Sequence, residues 1–403
     1  MHQYIDQNMN TNELAENGMM EDSNITNKRW YQRINYIKNK FVAGSYNNNN
    51  VKDDNKNENT GNSILHNKNN ENILNAIVQS VEMNATQIQT VNMSDLGNTL
   101  PNEPILIQNG MENFFNVEEN NHVNNKFFTL ENLIKKCGDS YFRLDDNHTG
   151  RIRLKQFYEY MKYNQDDAPL YIFDSQFAVG ADENRKSLKK AYYIPELLSA
   201  DDLFKIVPSK YRPPYQWILI GSSRSGTNIH QDPLGTSAWN GIIEGTKLWC
   251  FFPPDTAKDI VVNVNIKSGI YWFLNIFPQI ILNDDIVDNK QKIQPYFTIQ
   301  KAGDIVFVPC DWYHVVINLE NTVAITHNFA MKRDVNKIIP RVFRDEPQFG
   351  LKWLNELRNN NQKDVEIFRQ MEQYISEHKV DDDENECSSD DEDWSGSDES
   401  VIE

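Results

Sequence analysis

The stretch from Gly226 to Phe252 constrains this chain more than any other, because it carries two metal-binding side chains two residues apart in a strand-rich region. The two side chains are His230 and Asp232, and on a β-strand residues at this spacing leave the same face. Two neutral imidazoles and one carboxylate on one face of an octahedron form the facial triad of non-haem Fe(II) oxygenases, which leaves positions open for a co-substrate and O2. The pair therefore predicts half of an iron site and requires a second histidine downstream.

The His-x-Asp pattern is weak by itself. With 58 acidic residues and 8 histidines, about one such match is expected by chance. The surroundings strengthen it, because strand-like runs at residues 217–221 and 236–243 flank the pair and a Glu-Gly-Thr turn follows. These neighbours favour a pair placed between strands of a sheet.

The candidate for the second histidine is His314, at the start of a strand-like run that follows the buried-strand pattern of residues 301–309. Taken alone, a histidine at this place is more often a core or strand-end residue than a metal ligand, and it is the matched motifs around it that favour His314 as a ligand. Asn321 and Thr322 are expected to close a hairpin into the next strand. In that strand Thr326 is expected to point into a barrel, so that the rival ligand His327 points out of it.

Two segments together carry a family resemblance: GTNIHQDPLGTSAWNGIIEGTKLWCFFP and AGDIVFVPCDWYHVVINLENTVAITHNFA. They resemble the Jumonji C (JmjC) oxygenases, and within them the arginine demethylase and lysyl-hydroxylase subgroup once called the phosphatidylserine receptor. The resemblance implies an all-β core with helices, a double-stranded β-helix of the cupin or jelly-roll type with helical additions at both ends. It also implies Fe(II) bound by His230, Asp232 and His314, with 2-oxoglutarate and O2 as co-substrates.

A buried cation is needed for the distal carboxylate of 2-oxoglutarate, and Lys247 is the candidate. On a strand it shares a face with Trp249 and Phe251, so an apolar interior would surround its ammonium group unless an anion paired with it. A solvent-facing lysine at a turn is the alternative. The resemblance matches Lys247 to the co-substrate lysine of the family, and it matches four further positions to the same pocket: Tyr171, Thr227, Asn240 and Thr326.

The chain departs from the subgroup beside His314. Cys310 and Asp311 stand where the subgroup has a two-glycine turn, which places a thiol near the iron and changes the rim of the site. The ligands themselves are retained. The departure puts the recognition of substrate in doubt.

Outside these motifs, composition suggests one large folded domain. The expected division is an N-terminal arm with a short basic helix (1–46), an Asn-rich disordered insert (47–100), the JmjC β-helix domain (101–330), C-terminal helices (331–379) and an acidic disordered tail (380–403). Residues 381–403 hold 12 acidic and no basic residues, so the formal charge of −18 lies mostly in the tail.

Four scattered cysteines without C-x-x-C spacing and the absence of a leader pattern favour a reducing, intracellular setting. The longest apolar run, residues 270–282, is interrupted and too short to span a bilayer, so no membrane segment is expected.

The resemblance implies hydroxylation of lysyl residues at C5 of nuclear proteins, with demethylation of methyl-arginine as a second activity. The implied partners are basic proteins such as splicing-related proteins or histones, and RNA is a second implied partner. The resemblance also implies a homodimer through the C-terminal helices. The implied location is the nucleus, with the cytoplasm as a second one. Two other classes stay open: a non-catalytic JmjC-fold module that binds basic protein or RNA segments, and an RNA-base or small-molecule hydroxylase.

Overall fold

The protein is described by a computed structural model that covers residues 67–115, 128–144, 150–164, 166–178, 182–282, 293–359 and 365–378. The predicted arm of residues 1–46, the first part of the predicted insert (47–66) and the predicted acidic tail (380–403) lie outside the described residues.

Fourteen strands are present in the described residues. In chain order they are β1 (Thr86–Gln87), β2 (Gln89–Val91), β3 (Ile105–Ile107), β4 (Tyr141–Arg143), β5 (Arg151–Arg153), β6 (Tyr171–Asp174), β7 (Gln216–Gly221), β8 (Gly226–His230), β9 (Ser237–Glu244), β10 (Thr246–Phe252), β11 (Tyr296–Lys301), β12 (Ile305–Val308), β13 (Tyr313–Asn318) and β14 (Thr322–Phe329).

The α-helices lie before, between and after these strands. They are α1 (Asn67–Asn84), α2 (Leu130–Cys137), α3 (Leu154–Tyr163), α4 (Glu183–Lys190), α5 (Lys258–Val261), α6 (Gly269–Asn275), α7 (Phe277–Leu282), α8 (Val335–Asp345), α9 (Pro347–Asn359) and α10 (Val365–His378). Short 3-10 turns include Pro233–Gly235, directly after β8, and Lys332–Asp334, directly before α8.

The strands form two large sheets and one small one. A five-stranded sheet has the order β1-β11-β10-β13-β8, a seven-stranded sheet has the order β2-β3-β12-β9-β14-β7-β6, and β4 pairs with β5. Most pairings in the two large sheets are antiparallel, and their buried faces meet around apolar residues of both sheets, among them Trp249, Val306 and Val316. This is the double-stranded β-helix of the cupin class, with helices packed around it.

The expected hairpin at Asn321 and Thr322 is wrong. β13 pairs with β10 and β8, whereas β14 pairs with β7 and β9, so the turn carries the chain from one sheet to the other. A short turn between two strands is equally compatible with a hairpin and with a corner of a β-helix. Which of the two forms depends on the strands with which β13 and β14 pair, and these belong to different sheets.

The disordered insert predicted for residues 47–100 is wrong from residue 67 onward. Helix α1 buries Leu74, Ile77 and Val81 in an apolar cluster that also includes Trp272 of α6 and Phe297 of β11. After the helix, β1 joins the edge of one large sheet and β2 the edge of the other through parallel backbone pairing. The segment is ordered by contacts with distant parts of the chain, and those contacts compensate for its polar composition.

Residues 331–379 contain three helices, α8, α9 and α10, at the positions where apolar residues recur with helical spacing. They share one apolar cluster with Leu234, which lies in the turn after β8. Helix α8 is packed directly on the loop that leaves β8, the strand that carries His230. Among the described helices, none combines the length and the apolar character that a bilayer crossing needs.

Candidate metal and co-substrate site

Two neighbouring strands bring the three predicted metal ligands together. His230 is the last residue of β8, Asp232 follows two residues later, and His314 is the second residue of β13, in register with His230. One ligand atom from each of the three side chains lies within 4.8 Å of the other two. Sequence separation did not matter, because β8 and β13 are adjacent in the five-stranded sheet.

Backbone carbonyl groups orient the two imidazoles. Nδ1 of His230 lies 2.8 Å from the carbonyl oxygen of Asn228, and Nδ1 of His314 lies 3.1 Å from that of Trp312. A carbonyl can only accept, so Nδ1 carries the proton in each ring and Nε2 is left with its lone pair. Burial, together with the neighbouring His230, lowers the pKa of His314 to about 4. The ring is therefore neutral at physiological pH, which is the form that binds metals.

The carboxylate of Asp232 lacks a partner that would explain its burial. Its Oδ2 is buried and has no hydrogen-bond partner among the described residues, and the nearest imidazole nitrogen, Nε2 of His314, is 4.0 Å away. Buried carboxylate oxygens are otherwise hydrogen-bonded or coordinated to a cation. Two imidazole nitrogens and one carboxylate oxygen are the donor set of a facial triad, so the residues present fit a divalent iron ion.

All eight predicted site residues line one cavity of about 210 Å³. The cavity lies between the sheets, and the eight are the triad together with Tyr171, Thr227, Asn240, Lys247 and Thr326. Asp232 is the only carboxylate and Lys247 the only lysine or arginine among the lining residues that the structure describes. The cavity is thus a mostly apolar space with a metal-binding end and one cation.

The environment of Lys247 excludes the solvent-facing alternative. Its side chain is 1% exposed, and Nζ donates hydrogen bonds to the hydroxyl of Tyr171 (2.8 Å) and to Oδ1 of Asn318 (3.0 Å). Burial lowers the pKa of Lys247 to about 7. Both of its partners are neutral, so a carboxylate that enters the cavity would meet an ammonium group without a counter-ion. This arrangement fits the distal carboxylate of 2-oxoglutarate.

The remaining predicted residues differ in how they are held. Oδ1 of Asn240 is buried and unpaired within the described residues, so it can accept from a bound molecule. Thr326 donates from Oγ1 to the carbonyl oxygen of Trp239 (2.8 Å) and has its hydroxyl oxygen left as an acceptor. Thr227 lies on β8, three residues before His230. For these three residues the resemblance predicted a position in the pocket and no individual contacts.

Sequence reasoning missed Asn318. The residue is fully buried, accepts from Lys247, and donates from Nδ2 to Oγ of Ser225 (2.8 Å), so it fixes the lysine from the neighbouring strand. The alternation along β13 was a usable signal, because His314, Val316 and Asn318 have the same parity. Phe173 and Trp217, two aromatic residues that line the cavity, were also missed.

His327 lies on the other face of β14, as the alternation predicts. Its ring stacks on Trp239 with 4.7 Å between centroids, and its Nε2 lies 2.8 Å from the hydroxyl of Tyr192. Burial lowers the pKa of His327 to about 3. It is a neutral core histidine outside the barrel interior and takes no part in the cavity.

The fold and the site together define a cupin-type metalloprotein with a two-histidine, one-carboxylate centre. Residues 217–329 match the family model described as JmjC domain, hydroxylase.

Known relatives agree with this family. The chain is 35% identical over 253 residues to the bifunctional arginine demethylase and lysyl-hydroxylase psr-1 of Caenorhabditis elegans. The matched stretch is 60% of this chain and 61% of psr-1. It is 31% identical over 268 residues to the arginine-specific demethylase JMJ22 of Arabidopsis thaliana, covering 64% of this chain and 48% of the relative. It is also 30% identical over 143 residues to the 2-oxoglutarate and iron-dependent oxygenase JMJD4 of Danio rerio, covering 34% and 32%. The chain thus spans less than two thirds of the length of these relatives.

Proposed function

We propose that this protein is an Fe(II)- and 2-oxoglutarate-dependent dioxygenase that hydroxylates lysyl side chains at C5, with demethylation of methyl-arginine as a second activity. The observation that carries the proposal is the pairing, in one cavity, of an unsatisfied His-Asp-His cluster with a buried lysine that lacks a counter-ion. Neither feature stabilises a fold, because a buried unpaired charge is costly. Both are explained by a metal and a dicarboxylate.

The residues of the site would have separate roles in binding. His230, Asp232 and His314 would hold the iron, and Lys247 with the Tyr171 hydroxyl would hold the distal carboxylate of 2-oxoglutarate. When bound, the iron supplies the chemistry by which 2-oxoglutarate and O2 become succinate and CO2 while one oxygen atom is inserted into a substrate C–H bond. Trp249, Val308 and Val316 line the cavity with apolar surface and exclude water from it.

The cavity walls support a cationic side chain as substrate. Phe173 and Trp217 line the cavity with ring centroids 5.6 Å apart, which offers aromatic faces to a long aliphatic chain and its charged end. The net charge of −18 favours the approach of basic proteins, and splicing-related proteins and histones are the proposed class. Hydroxylation of an N-methyl carbon uses the same site, and the product then loses formaldehyde.

We also propose a location, a second partner and an oligomeric state for the protein. We infer a nuclear and cytoplasmic protein without a membrane segment, with RNA as a second partner. We also infer a homodimer through α9 and α10, where Val365 is exposed at the start of α10. A molar mass from light scattering equal to a single chain would contradict the dimer.

The test of the proposed activity is succinate release by the purified full chain with Fe(II), 2-oxoglutarate and basic peptides, with mass spectrometry for the gain of one oxygen atom. His230→Ala removes a ligand and is expected to abolish both signals. His378→Ala is the matched control, because it makes the same substitution at an exposed histidine of α10 and is expected to leave turnover unchanged. Turnover that survives His230→Ala contradicts the site.

The same preparation separates the two alternative classes. Binding of metal and 2-oxoglutarate without turnover of any peptide would favour an RNA base or a small molecule as substrate. Failure to bind either would favour a non-catalytic module that recognises basic protein or RNA segments.

A further inference from the structure

The turn between β12 and β13 contains a residue in a disfavoured backbone conformation. Asp311 has φ of 71°, in the left-handed region that favours glycine, and it is 8% exposed. Aspartate tolerates this region better than most residues, but a non-glycine residue persists there only where the surroundings hold it. The question is therefore what holds Asp311 in place.

Helix α8 supplies two cations to the carboxylate of Asp311. Nζ of Lys337 lies 3.1 Å from Oδ2, and Nη1 of Arg341 contacts Oδ1. Lys337 and Arg341 are four residues apart and so project from the same face of the helix. We call these three residues the Asp311 clamp. It ties the C-terminal helix α8 to the turn that leads into β13.

Two successive backbone carbonyl groups, those of Asp311 and Trp312, contact the two segments that carry the metal ligands. The carbonyl oxygen of Asp311 accepts a hydrogen bond of 2.6 Å from Nε2 of Gln231, which lies between His230 and Asp232. The next carbonyl, that of Trp312, is the group that orients the ring of His314. A shift of this turn would therefore move the orienting group of one ligand and the residue that separates the other two.

Helix α8 also packs on the turn that follows Asp232. Leu234 shares an apolar cluster with Ile338 and Val342 of α8. Gly235, with φ of 71°, faces the side chains of Ile338 and Arg341 so closely that an added Cβ would lie 3.2 Å from Nη1 of the arginine. The same helix thus contacts the chain after Asp232 and, through the clamp, the chain before His314.

We propose that Asp311 is a positioning residue for the metal site: held by Lys337 and Arg341, it fixes the distance between the His230–Asp232 segment and the segment that leads to His314. The inference rests on the proposed metal-dependent function. It assigns to helix α8 the role of a common support for both halves of the triad. The expected consequence is that loss of the clamp weakens metal binding while the barrel remains folded.

The test compares Asp311→Asn with Asp345→Asn in the full chain. Asn tolerates the left-handed conformation and has nearly the same shape, so the first variant removes mainly the charge. Asp345 lies on the same helix but pairs with the exposed Arg344, and the second variant therefore controls for loss of an ion pair on α8. Hydrogen exchange of metal-free protein is measured over residues 230–236 and 310–315, and the dissociation constant of Mn(II) is measured with 2-oxoglutarate present.

Asp311→Asn is expected to speed exchange in both segments and to weaken Mn(II) binding about three- to tenfold. That is less than the range of ten- to a hundredfold known for direct partners of metal ligands, because Asp311 acts one step further out. Asp345→Asn is expected to change neither. In a Lys337→Gln/Arg341→Gln background, Asp311→Asn should have little further effect, because the clamp is already lost.

Unchanged exchange and unchanged Mn(II) affinity in Asp311→Asn would overturn the proposal. Faster exchange confined to residues 310–315 would overturn it as well, since the turn would then not be coupled to the His230–Asp232 segment. The exchange measurement needs no metal. If the unmodified protein fails to bind Mn(II), the proposed function fails, and the exchange data alone still decide whether α8 supports both segments.

Discussion

Replacing Lys247 by methionine tests the central electrostatic feature of the cavity. Methionine keeps an unbranched side chain of similar length and removes the charge. In the folded protein the lysine is buried with two neutral partners, and burial lowers its pKa from 10.5 to about 7. The lysine therefore destabilises the protein whenever it is charged and no anion is bound.

The size and the sign of this effect follow from the pKa difference. One pKa unit corresponds to about 1.4 kcal/mol, so the displacement from 10.5 to about 7 sets an upper limit on the order of 5 kcal/mol. Between these values the unfolded chain binds the proton more tightly than the folded one, so stability rises with pH, and the penalty is complete below about pH 7. Methionine also leaves Tyr171 and Asn318 without their partner, at a cost of about 1 kcal/mol each.

We therefore expect metal-free Lys247→Met to be about 2 kcal/mol more stable than the unmodified protein near pH 6, an advantage that is lost by about pH 10. The assay is urea denaturation at both pH values. Lys301→Met, at an exposed position of the neighbouring strand β11, is the control and should change stability little.

Binding of 2-oxoglutarate supplies the second half of the test. Its carboxylate would favour the charged lysine, so binding above about pH 7 takes up a proton and the affinity falls by up to tenfold per pH unit. Calorimetry of Mn(II)-loaded protein in two buffers of different ionisation enthalpy measures this proton uptake. Lys247→Met is expected to lose both the uptake and most of the affinity. A variant that is less stable near pH 6 and binds 2-oxoglutarate as before would refute the reasoning.

Two further substitutions test the fold. Ile77→Ala in α1 is expected to lower the free energy of unfolding by about 2 to 4 kcal/mol, because Ile77 is buried. Met83→Ala, at an exposed position of the same helix, should change it by less than about 0.5 kcal/mol. Equal effects of the two substitutions in urea denaturation would mean that α1 is not docked. Gly245→Ala is expected to cost about 2 kcal/mol or more, because φ is 88° and the new Cβ would meet the carbonyl oxygen of Asn321. The same change at Gly303 should cost clearly less, because φ is similar at 96° but the new Cβ would make only an ordinary contact of 3.6 Å with Oδ1 of Asn109.

The candidate site could be predicted in unusual detail because it is built on alternating strands. One chelating pair and a matched motif predicted the three metal ligands, His230, Asp232 and His314. The structure places these side chains around one point. Strand parity also separated Thr326 from His327, which have opposite environments. Local periodicity is sufficient where a side chain needs only the correct face of a strand. It does not determine which partner stands opposite, which is why Asn318 was missed.

The same local reasoning failed for residues 67–91, and the cause is physical. The apolar residues of α1 stand in a segment with six asparagines, and β1 and β2 have only two and three residues. Their order comes from the apolar cluster that α1 shares with distant helices and strands and from backbone pairing with β11 and β3, which any side chains permit. Composition measures how much surface a segment can bury by itself. It does not measure what a surface elsewhere in the chain can provide.

Cys310 and Asp311 show the same limit within the site. Read locally, an aspartate in place of a glycine is a change at the rim of the cavity, and nothing near it in the sequence indicates a partner. The structure supplies that partner from α8, where Lys337 and Arg341 hold the carboxylate and the helix packs on the turn after Asp232. A conformation that is unfavourable for one residue is thereby stabilised by charges more than twenty positions away, and the segments it joins carry the ligands of the metal.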